Sequence, residues 1–408
     1  FIFNDKLLKI TVDSNNTKFI FNHLNIIVIT CKLIFTMKKN KIDLRFVSPK
    51  LDRTDINFLL NNILKKEIPN EGKYTKKFED KIAKILKTKY VMATTSGTIA
   101  IYLALKSLNI KNGDEVIVPN ITFAATVNAV SLTGAKPVLV DVDKTNLLID
   151  TNKLKKKINK KTKAIVTVHV SGRGSNILEL KKISKKYKLN LVEDAAEAFI
   201  SKKKNKYLGT FGDLGCFSFS PPKIITTGQG GVVVTNNSSL YKKLLQLKNQ
   251  GRVGFSNGGQ DRYESIGYNF KYTNLQSALG ISQLKTIKYR KKKLTENYLF
   301  YKKNLIQNKK IKLFEFDIKN GEVPLWTDLY CSKRDQLHNY LFKNKVESRL
   351  FWHPINYCKP YKQTFKNLEI SKMYNEKLLW LPSTLDLTKK DLNKICSLIN
   401  NFTKEHLS

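Results

Sequence analysis

From about residue 75 the chain alternates short β-branched runs with stretches long enough to be helices, an order that few folds accommodate. The runs "YVMATT", "EVIVP", "KPVLVDV", "KAIVTVHV" and "LNLVED" are apolar at nearly every position, not at every second one. Strands of that kind are covered on both faces, as in a parallel sheet with helices packed on each side. Helical spacing appears in "KYTKKFEDKIAKILKT", with Phe78, Ile82, Ile85 and Leu86, and "SGTIAIYLALKSLNI" opens as a helix from a small polar turn. "GCFSFS" and "GGVVVTN" read as further strands, followed by a charged helical region from near Leu275. The pattern weakens around 300–325. A second alternation then begins with "LWTDLYC", the helix "RDQLHNYLFKN" and "VESRLFWHPIN", and closes on the helical "TKKDLNKICSLINNF".

Charge narrows the function less than its size suggests. The formal net charge is +40, yet 65 of the 408 residues are lysine and only eight are arginine, the residue best built to fork onto phosphate and guanine. The lysines are scattered among Asn and Ile in runs such as "LKKKINKKTK", which reads as a solvated surface able to attract an anionic substrate, not as a nucleic-acid face. Five dispersed cysteines without a CxxC pair suggest neither a disulfide framework nor a metal site, and fit a cytoplasmic compartment. The first methionine is Met37, and the segment "FIFNHLNIIVITCKLIF" before it is interrupted by His23, Asn25 and Lys32. It meets the requirement of neither a membrane span nor a signal peptide. Residues 1–36 are therefore expected to be an upstream extension, with the functional chain starting at Met37.

Four stretches carry chemistry-bearing residues. In "TTSGTIAIYLAL", Ser96, Gly97 and Thr98 open a helix whose N-terminus suits a phosphate, although an ordinary N-cap reads the same way. "LNLVEDAAEAF" ends a strand in Asp194, at the carboxyl edge where open α/β sheets bind ligands; an Asp capping the next helix is equally consistent. "PNITFAATVNAV" offers Phe123, a ring that either stacks on a flat group or fills core. In "SFSPPKIITTGQGG" two prolines end a buried strand and glycines turn the chain back, so Lys223 sits on a constrained loop, unlike most of its fellow lysines. A lysine near a carboxylate, a phosphate cradle and an aromatic wall is what pyridoxal phosphate chemistry requires.

The order of "SGTIAIYLAL", "GDEVIVPNITFAATVNAV", "KPVLVDVD", "AIVTVHVSG", "LVEDAAEA", "GTFGDLGCFSFSPPKIITTGQGGVVVTN", "GYNFKYTNLQSALGISQL" and "ESRLFWHPIN" resembles the DegT/DnrJ/StrS family of pyridoxal-phosphate-dependent sugar aminotransferases, from about Phe46 to the C-terminal helix. "FSF", three residues, a lysine and "ITTG" most resemble its perosamine-synthase-like branch. The resemblance implies an aspartate-aminotransferase-like α/β fold. Its large domain, residues 37–290, would hold a mostly parallel seven-stranded sheet, and residues 291–408 a smaller α+β domain. It implies Lys223 as the cofactor-linking lysine and Asp194 as the partner of the ring nitrogen. Glu197 would lie near the phenolic oxygen and Phe123 on the ring, with Gly97, Thr98 and Ser218 at the phosphate. Asn269 would be a phosphate ligand given to the neighbouring subunit of a homodimer with shared active sites. His169, Arg173 and Arg349 are candidate substrate contacts; Arg173, in "VSGRGSN" where the family pattern is lost, is either an anion contact or a surface residue.

The activity so implied moves an amino group from glutamate to the keto group of a nucleotide-linked sugar of the 4-keto-6-deoxy kind, without metal, nucleic acid or membrane. A sugar dehydratase of the same family, which replaces the lysine with histidine, and a basic nucleic-acid-binding member are the alternatives.

Overall fold

The seven apolar runs form one sheet. The computed structural model describes residues 2–3, 6–7, 44–46, 51, 55–59, 71–174, 176–253, 261–364 and 366–407. The chain divides into residues 1–43 and 44–408. In the first unit Ile2–Phe3 and Lys6–Leu7 pair antiparallel, and the expected start at Met37 lies outside the described residues.

In the second unit the main sheet comprises β1 (Tyr90–Thr94), β2 (Glu115–Pro119), β3 (Lys136–Val140), β4 (Thr162–Val168), β5 (Asn190–Asp194), β6 (Leu214–Ser218) and β7 (Gly231–Thr235), in the order β1-β7-β6-β5-β4-β2-β3. Every pairing is parallel except the two made by β7. Successive residues of a strand face opposite ways. Val91, Ile117, Ile165, Leu191 and Phe217 thus enter one apolar cluster, while Met92, Val116, Ala164, Val192 and Cys216 enter another. The unbroken apolar runs are explained by these two cores, each fully buried aliphatic side chain contributing roughly 1.5–3 kcal/mol.

Helix α1 (Lys73–Leu86) buries Phe78, Ile82 and Leu86 and ends with Lys87 in the left-handed conformation. Helix α2 (Gly97–Ser107) is capped by Ser96 Oγ, which accepts from Ile99 N, and is buried along most of its length. Next come α3 (Ala124–Leu132), α4 (Ile177–Lys186), α5 (Ser238–Lys248) and α6 (Asn274–Lys285); the last starts at a reciprocal capping box of Thr273 and Gln276.

Helix α7 (Ile287–Asn304) leads to a four-stranded antiparallel sheet in the order β8 (Ile311–Leu313), β9 (Thr327–Cys331), β11 (Leu378–Leu381), β10 (Arg349–Leu350). One face packs Leu329, Leu379 and Leu381 on α8 (Arg334–Lys343) and α9 (Lys389–His406). The alternate residues, Asp328 and Trp380, are paired in register and turn the other way, which aims them toward the main sheet. The run "VESRLFWHPIN" supplies only the two-residue β10. Pro354 brings no N–H to a ladder, and a 3₁₀ turn, Ile355–Tyr357, follows it.

Candidate active site

Strands β1, β5 and β6 end at the same edge of the sheet, and the chain that leaves each carries a polar group to one place. After β1, the N–H groups of Gly97 and Thr98 precede the first intrahelical bond of α2, from Ala100 N to Ser96 O at 2.9 Å. Such groups and the positive helix end suit an anion. Gly97 is required there by space: a Cβ would lie 2.8 Å from Ser218 Cβ, so a side chain would fill the gap between the α2 N-terminus and the end of β6.

Asp194, last residue of β5, is buried. Its Oδ2 accepts from Thr126 Oγ1 at 2.7 Å and its Oδ1 from Ala196 N at 3.1 Å. Burial pushes the carboxyl up, against the pull of those hydrogen bonds and of Lys223. Neutral donors alone leave a buried carboxylate under-compensated, so the position suits a cationic ligand group.

Lys223 lies on the loop between β6 and β7. Its N–H closes a turn on Ser220 O at 3.1 Å across Pro221 and Pro222. The loop is tied at its root by Phe219 N to Gly230 O at 2.8 Å and Thr227 N to Phe219 O at 3.0 Å. The Lys223 side chain is 14% exposed, and its Nζ donates to Glu197 Oε1 at 3.2 Å. Trp326 Nε1 donates to the same oxygen at 3.1 Å, and Ser171 N to Oε2 at 2.9 Å.

A cavity of about 320 Å³ opens onto these groups. Ser96, Gly97, Thr98, Phe123, Asp194, Glu197, Ser218, Lys223 and Arg349 all line it, so nine of the twelve candidate site residues named from the sequence meet there. Phe123 is 55% exposed and tilted against Trp352, with ring centroids 6.0 Å apart. The Arg349 guanidinium lies over the Trp380 ring at 5.7 Å. All three tryptophans of the chain line the cavity, a wall that the sequence reading missed. Their signal was their rarity and their place in the second alternation.

Two expected substrate contacts do not line the cavity. His169 is fully buried, its Nε2 2.9 Å from Glu193 Oε2. Glu193 and Asp194 are adjacent on β5 and point to opposite faces, and His169 goes with Glu193, which also accepts from Gly209 N, Phe211 N and Gly212 N. Of its two readings, Arg173 is not a surface residue. It is 1% exposed, ion-paired with Asp328, donates Nε to Asn146 O at 3.0 Å and stacks its guanidinium over Phe316 and Phe314. A cation so far from water is retained against a carboxylate and ring faces. Asn269 is exposed, bridges to Asn249 and lies outside the cavity lining.

The sequence profile of the DegT/DnrJ/EryC1/StrS aminotransferase family matches residues 50–400. The chain belongs to this family. Among curated relatives, the GDP-perosamine synthase of Escherichia coli O157:H7 is 36% identical over 340 residues, 82% of this chain and 92% of its own. The UDP-4-amino-4,6-dideoxy-N-acetyl-beta-L-altrosamine transaminase of Campylobacter jejuni is 34% identical over 300 residues, 71% of this chain and 79% of its own. Among solved structures, Helicobacter pylori PseC, an aminotransferase involved in the biosynthesis of pseudoaminic acid, superposes with a TM-score of 0.83 at 27% identity, covering 89% of this chain and 99% of that one. The fold expected from the sequence, a mostly parallel seven-stranded α/β sheet, is present and matches that of the PseC aminotransferase, and this member of the family is an aminotransferase.

Proposed function

We propose that the chain moves an amino group from glutamate to a keto carbon of a nucleotide-linked sugar, using pyridoxal phosphate held in the cavity between the sheet edge and the tryptophan wall. The convergence of Lys223, Asp194, Glu197, Ser218 and the α2 N-terminus on that cavity carries the reading. The residues fit the group: an anion-seeking helix end kept open toward Ser218 by Gly97, a buried carboxyl at Asp194 whose hydrogen-bond donors are neutral, and the Lys223 amine all give onto one cavity. When bound, pyridoxal phosphate supplies the electron sink that lets a Cα–H bond of an amino donor break.

Each residue is assigned a role in this reading. Gly97, Thr98 and Ser218 would hold the phosphate. Asp194 would offer a buried negative charge to the protonated ring nitrogen, and Phe123 would lie beside the ring. Lys223 would hold the group and, when free, serve as a base whose Nζ moves a proton to and from the donor's Cα. Glu197, which accepts from Lys223 Nζ, would lie beside the ring oxygen. Arg349, exposed at the cavity and seated on Trp380, takes an anionic group of the substrate. The names of the two curated relatives support a nucleotide-linked sugar as acceptor, and neither supports a dehydratase or a nucleic-acid-binding protein.

The reading includes a homodimer in which Asn269 reaches the neighbouring subunit's phosphate, as its exposure outside its own cavity allows. It takes 37–290 as the cofactor domain and 291–408 as the small domain, in keeping with the separate seven-stranded and four-stranded sheets, and the cytoplasm as the compartment. Among the described residues no helix is long and apolar enough to cross a membrane.

The test is Lys223→Ala, assayed with glutamate against a panel of nucleotide-linked 3-keto and 4-keto sugars. The visible absorbance of the cofactor-loaded protein and the amination are both expected to disappear, with the melting temperature kept. Undiminished turnover in that variant sinks the assignment.

A further inference from the structure

The turn after β4, Val170–Gly172, is where the family resemblance fails, and it holds a non-glycine residue in the left-handed region: Ser171 has φ 56° and ψ 12°. An L side chain rarely adopts that conformation, and it persists where surrounding contacts over-determine it. All three polar groups of Ser171 are engaged. Its N–H donates to Glu197 Oε2 at 2.9 Å, its Oγ to Asp328 Oδ1 at 2.8 Å, and its carbonyl accepts from Leu325 N at 3.0 Å. The Trp380 indole N–H donates to that same Oδ1, and Arg173 holds the other carboxylate oxygen of Asp328, Oδ2. The residue after Leu325 is Trp326, whose indole N–H reaches Glu197 Oε1. The start of β9 is thereby joined to the site by two routes that both end on one carboxylate.

Lys223 is the third donor to that carboxylate. With Oε1 shared by Trp326 and Lys223 and Oε2 taken by Ser171, the plane of the Glu197 carboxyl is set from two sides before the lysine meets it. We infer that Trp326 is a positioning residue which, with Ser171, fixes the Glu197 carboxylate in the orientation that receives the Lys223 amine. The C-terminal sheet then helps decide where the reactive amine points, and a chain that loses the indole N–H keeps its aromatic wall but not its aim. The inference rests on the proposed role of Lys223 for its catalytic meaning, and on geometry alone for the hydrogen-bonded arrangement.

Trp326→Phe tests it, because the ring still packs on Phe46, whose centroid is 4.9 Å away, while the donor is lost. The first readout is the acetic anhydride labelling rate of Lys223 in the full chain freed of cofactor, read by mass spectrometry of its peptide against surface lysines. The expected rise is about threefold or more, the change that follows loss of one net hydrogen bond. Glu197→Gln raises the rate as well, and the double variant goes no higher than Glu197→Gln, since the two act through one contact. In the loaded enzyme, Trp326→Phe lowers kcat by about the same factor and leaves KM for the nucleotide sugar within about twofold. Ser171→Ala, which leaves every ring in place, changes the labelling in the same direction by a smaller factor, and keeps the test open should the ring change unfold the protein. Wild-type labelling in both Trp326→Phe and Ser171→Ala overturns the inference, as does full additivity with Glu197→Gln. A wild-type chain that turns over no sugar but shows the labelling pattern overturns the transaminase reading and leaves the positioning intact.

Discussion

Replacing Arg173 by methionine separates a structural ion pair from a substrate contact. The variant keeps the length and most of the apolar bulk against Phe314 and Phe316 but removes the charge opposite Asp328. Asp328 is fully buried; burial pushes its carboxyl up and Arg173 is the leading influence that pulls it back. Breaking a pair of this kind strands one charge out of water and costs about 3–5 kcal/mol. The sign with pH follows from Asp328. Its folded-state affinity for a proton is already above that of the unfolded chain and rises further without Arg173, so the extra cost appears above the unfolded value, near pH ~4, and grows as pH rises. Urea unfolding at pH 5 and pH 7.5 should show the gap between wild type and Arg173→Met widening toward the higher pH. Adding Asp328→Asn should remove the pH dependence and return most of the stability. A loss below about 1 kcal/mol that is the same at both pH values refutes the reasoning, because a buried pair cannot be broken so cheaply. A variant of wild-type stability whose KM for the nucleotide sugar rises would restore Arg173 as a substrate contact.

Glu79 gives a second pH test: burial, opposed by Lys248 and the Ala93 N–H, moves its carboxyl from 4.5 to about 7. The folded chain therefore holds this proton better than the unfolded one, and the wild type loses stability as pH rises from about 5 to about 7.5. Glu79→Gln should escape that loss, by up to roughly 3 kcal/mol, read as denaturation midpoints across the window; a parallel pH dependence in the two proteins contradicts it. Gly97→Ala places a methyl 2.8 Å from Ser218 Cβ. The expected result is a stability loss of about 1–3 kcal/mol and an affinity for pyridoxal phosphate lowered about tenfold or more by absorbance titration, with inorganic phosphate as the competing probe.

Much of the fold was legible because its cause is local. A doubly covered sheet requires strands apolar on both faces, and the seven runs announce it. The direction of β7 was less open to view, since "GGVVVTN" reads alike either way; what reverses it is a connection from β6 with no helix in it, returning the chain at the same edge. That Lys223, Asp194, Gly97 and Ser218 share one cavity was legible for a related reason: each sits at or just past a strand's carboxyl end, a place that sequence order alone defines. The burial of Arg173 and His169 was not legible, because it depends on partners that no local pattern reveals. Arg173 meets Asp328 across 155 residues, and His169 follows Glu193, not Asp194, by the alternation of a single strand. The tryptophan wall was missed likewise, since Trp326, Trp352 and Trp380 come together only when the second sheet folds against the first.

The loop that carries Lys223 starts on β6, ends on β7 and is knotted at its root by backbone bonds between Phe219 and residues 227 and 230. Both of its ends belong to the large sheet, so no tension along the chain can carry a movement of the C-terminal sheet to the lysine. Side chains have to deliver that news, and the Trp326 indole at Glu197 is in a position to do so. A shift of the small sheet by a fraction of a hydrogen-bond length would be felt at the amine as a change of aim, while the main chain that bears it stays still.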